Sequence, residues 1–360
     1  MLKTKFCERF ALEYPIIQAP MVGVSNTRLA AEVLKAGALP SMGCGAMNAA
    51  ALDKSISEFM VLSGTEKAPL ININFFSHQE EELDSIANTK WLKELAPLFE
   101  GFETQAPTSL NVTYQSLLTE DERVAVLLEK RPQIVSFHFG LPSASVLQKL
   151  KDAGIVIFAS ACDVDEAQQL ESAGVDYIVA QGYEAGGHRG IFNAEHDPKI
   201  GTLELLKQIK QHCVTPVIAA GGVMDGQEIR VMLEHGAEAV QLGTAFVLCP
   251  ESSTSETYRG QLREHAKGNS ETVVSADISG RPARGLRTKL SDLGTHLIQE
   301  KGLKRPIYPA LYDVNKQLND AALKQGDEGY GAYWSGTGLA KIREMPAQDL
   351  IALLAKEATE

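Results

Sequence analysis

Short, almost purely apolar runs recur along the first 250 residues, and segments with helical periodicity separate them. Continuously apolar runs, rather than alternating ones, are typical of strands that are covered on both faces, as in a parallel sheet. The runs predicted to be strands are Pro15–Pro20, Ala38–Met42, Leu70–Phe75, Ile134–Phe139, Ile155–Ala159, Tyr177–Ala180, Pro216–Ala220 and Ala239–Leu242.

The segments between these runs carry the start and stop signals of helices. Asp163 and Asp225 stand where an N-terminal cap is expected. Several helical patterns end in a glycine just before the next apolar run, where a left-handed residue can terminate a helix; these glycines are Gly37, Gly154, Gly174 and Gly236. Eight strand–helix units in succession predict an α/β fold, and a TIM (β/α)8 barrel rather than an open sheet.

Two stretches exceed this repeat. Residues 77–132 are too long for one crossover and contain helical patterns at Trp91–Phe99 and Asp121–Lys130, so we expect an inserted excursion after strand 3. After the eighth run, helical patterns are predicted at Ser255–Ala266, Pro309–Lys324 and Ala347–Lys356, with a glycine-rich loop at Gly326–Gly338. The expected organisation is a barrel at residues 1–250 and a helical C-terminal extension at residues 251–360, which covers the barrel mouth or its flank.

Composition narrows the classes of function. Lys and Arg number 34 against 46 Asp and Glu, and the net charge of −12 disfavours binding to nucleic acid or to an anionic membrane surface. An anionic substrate therefore needs a local basic group. The five cysteines form no C-x-x-C pair, which favours reduced thiols in the cytoplasm. No signal-peptide core or bilayer-spanning apolar stretch is present, so a cytoplasmic, soluble protein is expected.

Polar and glycine residues collect at the predicted carboxyl ends of the strands, where TIM barrels build their sites. The pairs Gly221–Gly222 and Gly243–Thr244 follow strands seven and eight, whose loops often hold a phosphate through backbone N–H groups and a helix N-terminus. Tight turns are the competing explanation for each pair alone. Strand-end carboxamides, whose donors and acceptors suit a flavin ring edge, are Gln18, Asn74, Gln181 and Gln241.

The stretch Gln181–Gly190 follows the sixth strand and contains four glycines and His188, while His138 ends the fourth strand. A single strand-end histidine is more often structural, but two on one rim favour proton transfer or electrostatic work. No Cys/His spacing suggests a zinc site.

Tyr308, Tyr312 and Lys316 are spaced i, i+4 and i+8, which predicts one face of a helix whose first turn begins at Pro309. Such a face could close over the barrel mouth, although an ordinary amphipathic helix predicts the same spacing. Arg281, Arg284 and Arg287 are expected to be solvated.

The chain resembles the nitronate monooxygenase family, formerly called 2-nitropropane dioxygenases, in its bacterial class I form, over nearly its whole length. The motifs that carry the resemblance are Gln18–Met21, Ser136–Pro142, Gln181–Gly190, Ala220–Gly226, Gln241–Thr244 and Tyr308–Lys316. Flavin-dependent enoyl-ACP reductases share the core Glu184–His188; Ser136–Pro142 and the Tyr308, Tyr312 and Lys316 set favour class I.

The resemblance implies FMN as a non-covalent cofactor and oxidation of alkyl nitronates, above all propionate 3-nitronate, by O₂ to a carbonyl compound and nitrite through a flavin semiquinone. It implies catalytic roles for His188 and His138 and substrate contacts for Tyr308, Tyr312 and Lys316. The cofactor contacts it implies are Ala19, Pro20, Met21, Asn74, Gln181, Gly186, Gly187, Gly221, Gly222, Gln241, Leu242, Gly243 and Thr244.

The expected partners are therefore a small-molecule nitronate and O₂, in a monomer or a homodimer. Two other functions remain open from the residues themselves. One is an NAD(P)H-dependent flavin reductase of quinones or enoyl thioesters, and the other is a non-enzymatic sensor of a phosphorylated ligand.

Overall fold

The structure is a computed structural model and describes residues 3–268 and 271–360. Its strands are β1 (Ile16–Gln18), β2 (Ser41–Gly43), β3 (Asn72–Phe76), β4 (Ile134–His138), β5 (Val156–Ala161), β6 (Tyr177–Gln181), β7 (Gly187–His188), β8 (Val217–Ala220), β9 (Ala239–Leu242), β10 (Thr272–Ser275) and β11 (Ala283–Leu286). Its helices are α1 (Lys5–Phe10), α2 (Thr27–Lys35), α3 (Ala49–Ser63), α4 (Ser85–Gly101), α5 (Glu122–Lys130), α6 (Ala144–Asp152), α7 (Val164–Ser172), α8 (Thr202–His212), α9 (Gly226–Glu234), α10 (Thr244–Val247), α11 (Glu256–Lys267), α12 (Lys289–Gln299), α13 (Ala310–Lys324) and α14 (Ala347–Glu357), with a 3₁₀ turn at Leu339–Lys341.

Eight parallel strands of the described residues form one sheet in the order β1-β9-β8-β6-β5-β4-β3-β2. Leu39, just before β2, closes the sheet on β1: its N–H donates to the Ile16 carbonyl and its carbonyl accepts from the Gln18 N–H, both at 2.9 Å. The predicted TIM barrel is confirmed, and each predicted apolar run overlaps one barrel strand.

Local signals end and begin the helices as expected. Asp163 accepts the Glu166 N–H at 2.7 Å, and Asp225 accepts the Glu228 N–H at 2.9 Å, so both predicted caps are confirmed. The four predicted helix-ending glycines share a positive φ. These short, locally determined turns bring the carboxyl ends of the barrel strands to one rim.

Helix α1 closes the opposite, amino-terminal end of the barrel. Phe6 and Phe10 are buried against Phe158 and Tyr177, with the Phe6 and Tyr177 rings edge to face at a centroid distance of 5.4 Å. Burying a side chain of this size contributes about 1.5–3 kcal/mol. The end that remains open to a ligand is therefore the carboxyl-terminal rim.

The excursion after β3 contains both predicted helices. Helix α5 packs against α3 and α6 and so serves as an ordinary crossover helix. Helix α4 instead contributes Trp91 and Leu95 to a cluster with Leu311 and Val314 of α13. The excursion is thus joined to the C-terminal extension.

The extension reaches both the mouth and the flank of the barrel. Helix α13 lies at the mouth, whereas α14 packs against α2 and α9 and shares the barrel's core. The three predicted tail helices correspond to α11, α13 and α14; the sequence patterns missed α12 and the hairpin of β10 and β11. The division at residue 250 stays a prediction. Across residues 3–268 and 271–360, no helix combines the length and apolar character that crossing a bilayer requires.

Candidate active site

A cavity of about 390 Å³ opens at the carboxyl ends of the barrel strands. All of the predicted site residues line it, with the exception of Leu242. The Leu242 side chain is 1% exposed and belongs to the barrel core, and its carbonyl accepts the Ala19 N–H at 2.8 Å. Leu242 therefore supports the neighbouring loop from behind and is not part of the cavity wall.

The glycine-rich loop after β6 is held by its own first and last residues. The Gln181 amide donates to the His188 carbonyl at 2.9 Å and accepts the Gly190 N–H at 2.6 Å. The fully buried Arg189 donates to the Gly182 carbonyl at 2.7 Å and pairs with Asp197. These bonds use the amide oxygen of Gln181 and one of its two amide hydrogens, so Gln181 shapes the loop and keeps its second amide hydrogen.

The C-terminal extension also fixes this loop. Strand β7, which contains His188, pairs antiparallel with β11. Arg284 donates to the Tyr183 carbonyl at 2.9 Å, and the Arg281 guanidinium lies 4.4 Å from the Phe139 ring centroid and donates to the Ile191 carbonyl at 2.6 Å. The prediction that these two arginines are solvated is wrong, because backbone carbonyls and aromatic faces replace water around them.

The third arginine of that group behaves as predicted. Arg287 has 70% of its side chain exposed and pairs with Asp292 on the surface.

His138 is half-buried and has both ring nitrogens in hydrogen bonds. Its Nδ1 lies 2.9 Å from the Ser160 hydroxyl, and its Nε2 lies 3.1 Å from the His188 carbonyl. A carbonyl only accepts, so Nε2 carries the proton and Nδ1 accepts from Ser160. In this geometry His138 holds the peptide of His188 in place.

His188 has a defined tautomer. Its Nε2 lies 2.9 Å from the Ser279 hydroxyl, and that hydroxyl donates its single hydrogen to the Arg281 carbonyl at 3.0 Å. With the hydroxyl hydrogen on that carbonyl, Nε2 is the donor to Ser279, and the Nδ1 lone pair has no partner among the described residues. Since His188 lines the cavity, Nδ1 is available to a ligand there.

The surroundings keep both histidines neutral. Burial lowers the pKa of His188 to about 3, with further lowering by His138 and the Arg281 cation. Burial also lowers the pKa of His138 to about 4. A neutral His188 can accept a proton at Nδ1, but it can donate to an anionic oxygen only after taking up a proton.

Aromatic side chains wall the cavity next to His188. The Tyr308 ring lies 5.3 Å from the His188 ring and the Trp334 ring 5.4 Å from it. Helix α13 begins at Ala310, so Tyr308 precedes the helix instead of standing on it as predicted, yet it lines the cavity with Tyr312 and Lys316.

The α13 face of the cavity supplies hydrogen-bond donors. The Tyr312 ring lies 6.3 Å from the Trp334 ring, and no acceptor within the described residues takes the Tyr312 hydroxyl hydrogen, which is therefore left for a ligand. The Lys316 ammonium lies 5.9 Å from the Tyr312 ring, and no carboxylate of residues 3–268 or 271–360 pairs with it. An anion at this face would therefore meet one cation and one hydroxyl donor.

The other end of the cavity is rich in unsatisfied backbone N–H groups. Those of Gly221, Gly222 and Gly243 find no acceptor within the described part of the chain. The N-terminus of the neighbouring helix α9 is taken by two carboxylates, since Glu228 of α9 accepts the Met224 N–H and Glu357 of α14 accepts the Gly226 N–H. An anion at this end would be held by the glycine loops and not by that helix.

Two of the four predicted carboxamides keep a free amide oxygen for a ligand. Gln18 is fully buried and its oxygen accepts the Ser41 N–H at 3.1 Å, and the Gln181 oxygen accepts the Gly190 N–H. Asn74 donates to the Ser136 hydroxyl at 2.9 Å but keeps its carbonyl oxygen, and the Gln241 amide has no partner within the described residues. Asn74 and Gln241 both line the cavity.

The sequence reasoning missed several residues of the site. Tyr114, Tyr258 and Trp334 line the cavity, and Ser279 fixes His188. An aromatic residue inside the predicted glycine-rich loop Gly326–Gly338 was a usable signal for Trp334. No local signal identifies Ser279, which reaches His188 from 91 residues away.

These features define a class: a TIM-barrel protein with a ligand cavity at its catalytic rim, walled by glycine loops at one end and by histidines, tyrosines and a lysine at the other. The family model for nitronate monooxygenase matches residues 3–357. A nitronate monooxygenase of Paraburkholderia phytofirmans is 47% identical over 96% of this chain and 92% of its own. The chain belongs to the nitronate monooxygenase family and is an oxidoreductase of that flavin-dependent group.

Solved structures agree with this assignment. A nitroalkane oxidase from Streptomyces ansochromogenes superposes with a TM-score of 0.82 at 34% identity, over 97% of this chain and 96% of that one. FabK from Thermotoga maritima gives a TM-score of 0.74 at 25% identity over 100% and 97%. The nitroalkane oxidase is the more similar of the two in both sequence and fold.

Proposed function

We propose that this protein uses FMN to oxidise alkyl nitronates with O₂, giving a carbonyl compound and nitrite, and that propionate 3-nitronate is a substrate. The single observation that carries the proposal is the juxtaposition, in one cavity, of anion-binding glycine loops with a neutral histidine and a Tyr312–Lys316 donor pair. Family membership supplies the reaction class, and this chain's residues supply the substrate class.

The residues present fit a flavin mononucleotide. The unpaired N–H groups of Gly221, Gly222 and Gly243 suit a phosphate. The free carbonyl oxygen of Asn74 and the free amide of Gln241 suit the alternating donors and acceptors of a flavin ring edge. Bound FMN would accept electrons from the nitronate and pass them to O₂. Ala19, Pro20, Met21, Gly186, Gly187 and Thr244 complete the proposed cofactor wall.

His188 is the proposed catalytic residue at the substrate end. Its bare Nδ1 can accept the α-proton of a substrate that arrives as a neutral nitroalkane. With a nitronate, which has already lost that proton, His188 is proposed to orient the substrate, and it can donate to a nitronate oxygen only if binding brings a proton with it. His138 is proposed to act through the His188 carbonyl, which it holds at 3.1 Å.

The remote group of the substrate is assigned to α13. A carboxylate there would pair with Lys316 and accept from the Tyr312 hydroxyl. Tyr308 is buried at the wall and supplies shape, with its ring against His188. A local cation of this kind is what an anionic substrate requires in a chain of net charge −12.

The experiment that tests this function has two parts. The chromophore released from the purified protein by heat is identified by chromatography against FMN, FAD and riboflavin, and FMN is expected. Nitrite formation and O₂ consumption are then measured with propionate 3-nitronate and, separately, with NADH. Nitrite formation with the nitronate supports the proposal, whereas O₂ consumption with NADH alone and no nitrite from the nitronate would replace it with a reductase.

A further inference from the structure

Residues 334–338, here called the strap, connect the two ends of the cavity. At one end of the strap the Trp334 ring lies 5.4 Å from the His188 ring. At its other end, Gly336 and Gly338 line the cavity together with the two glycine loops that follow β8 and β9. One short segment of the C-terminal extension therefore belongs to both the substrate wall and the anion-binding end.

The strap orients Thr244. The Gly336 N–H donates to the Thr244 hydroxyl oxygen at 2.9 Å. Since that oxygen acts as the acceptor, the hydroxyl hydrogen is left to point elsewhere, and no acceptor within the described residues takes it. Thr244 lines the cavity, so its hydroxyl is prepared to donate to an anion bound there.

The strap is also wedged against the glycine-rich loop. The Thr337 N–H donates to the Glu184 carbonyl at 3.0 Å. A Cβ at Gly336 would come within 2.7 Å of that carbonyl, and a Cβ at Gly186 would come within 2.5 Å of the Gly336 nitrogen. This close approach of two backbones requires glycine on both sides.

On its far side the strap meets the loop after β8. A Cβ at Gly338 would collide with the Met224 side chain and approach the Gly222 carbonyl to 2.9 Å. The Gly338 N–H has no acceptor within residues 3–268 and 271–360. No lysine or arginine of those residues lines this end of the cavity, since Lys316 stands at the substrate end.

We propose that the strap forms the third side of the phosphate site. Gly338 contributes its N–H, and Gly336 positions the Thr244 hydroxyl. Binding of the phosphate fixes the strap and, through it, Trp334 at the substrate wall. This inference rests on the proposed use of FMN. The coupling is reciprocal: the free energy by which the docked strap strengthens phosphate binding equals the free energy by which bound phosphate stabilises the docked strap.

The first test compares FMN with riboflavin, which lacks the phosphate, in apoprotein. Dissociation constants are measured by flavin fluorescence for the wild type, Gly338→Ala and a control, Gly260→Ala, whose new methyl group meets nothing within 4 Å. Gly338→Ala keeps the N–H, but its Cβ would collide with Met224 and push the strap away from the phosphate. FMN binding is therefore expected to weaken by about tenfold or more, as for the loss of a hydrogen bond to a charged group, while riboflavin binding changes little. Gly260→Ala should match the wild type.

The outcomes separate this inference from the cofactor assignment. If the wild type binds riboflavin as tightly as FMN, the protein does not recognise the phosphate and the proposal that FMN is the cofactor is wrong. A wild type that prefers FMN, together with a folded Gly338→Ala variant that keeps the full preference, would overturn the role of the strap alone.

The second test needs no variant. Hydrogen exchange of peptides covering residues 330–341 is followed by mass spectrometry in wild-type protein that is free, loaded with riboflavin or loaded with FMN. Slower exchange with FMN than with riboflavin is expected. Equal protection by the two flavins would contradict the inference even if Gly338→Ala failed to fold.

Discussion

His188 donates its Nε2 hydrogen to the Ser279 hydroxyl, 2.9 Å away, and Ser279 donates in turn to the Arg281 carbonyl. Ser279 is fully buried, so water does not compete for these bonds. The arrangement decides which nitrogen of His188 faces a ligand, and the side chain that decides it comes from the C-terminal extension.

Ser279→Ala should release the tautomer of His188. In the wild type at pH 7, ¹⁵N NMR of histidine-labelled protein is expected to show a protonated Nε2 and an unprotonated Nδ1, assigned by the signals that vanish in His188→Asn. In Ser279→Ala both shifts should move toward averaged values. Anaerobic reduction by the nitronate should slow by about tenfold, in line with ~1–2 kcal/mol for a buried hydrogen bond.

Ser145→Ala, at a surface hydroxyl that bonds only Ser143, is the matched control and should change neither quantity. A wild-type spectrum with the proton on Nδ1 would contradict the geometry outright.

Lys316→Met should raise the KM for propionate 3-nitronate by about tenfold and leave that for propyl-1-nitronate, which lacks the carboxylate, nearly unchanged. The side chain is exposed, so the effect should shrink as salt is raised. Lys324→Met, on the exposed end of the same helix, serves as control. An equal rise of KM for both substrates would argue against a carboxylate contact.

Acidification should destabilise the apoprotein through three histidines that the fold shields from water. Burial lowers the pKa of His78 to about 4, and His138 and His188 are lowered similarly. The unfolded chain, in which histidine titrates near 6.5, binds more protons between pH ~4 and ~6.5, so stability is lost as pH falls through that window. Glu166 has the opposite effect on stability, because burial raises its pKa to about 7 and the folded state then binds the extra proton. This one proton offsets only part of the effect of the three histidines.

The check is the free energy of unfolding in urea between pH 5 and 7. His78→Phe should reduce the slope of the unfolding free energy against pH by up to about 1.4 kcal/mol per pH unit, which corresponds to the uptake of one proton. The substitution removes a titrating ring but keeps an aromatic contact with Tyr308. His196→Phe, at an exposed position, serves as the matched control. An unchanged slope in His78→Phe would mean that His78 does not titrate as described.

Local patterns were enough to predict the barrel and much of its rim. Apolar runs, the cap at Asp225 and the glycines that end four of the helices act within a few residues, so the strand ends that carry Asn74, His138 and Gly221 could be located. Leu242 is the one predicted site residue that does not line the cavity. Side chains alternate along a strand, so Leu242 points into the core while its neighbour Gln241 lines the cavity.

The parts that escaped prediction depend on pairing across long sequence separations. Ser279 and Arg281 reach the glycine-rich loop because β11 pairs with β7, and Trp334 reaches His188 because its segment bridges to Gly285. An arginine in sequence suggests a solvated charge, and only the fold reveals that carbonyls and the Phe139 ring surround Arg281.

The most direct test of the central claim is anaerobic mixing of the flavin-loaded protein with propionate 3-nitronate and, in a second experiment, with NADH, with the flavin absorbance followed by stopped flow. The account predicts rapid loss of oxidised-flavin absorbance with the nitronate, little change with NADH over the same time, and slower reduction by the nitronate in a His188→Asn variant that still holds its flavin. Bleaching by NADH together with an inert nitronate would contradict it.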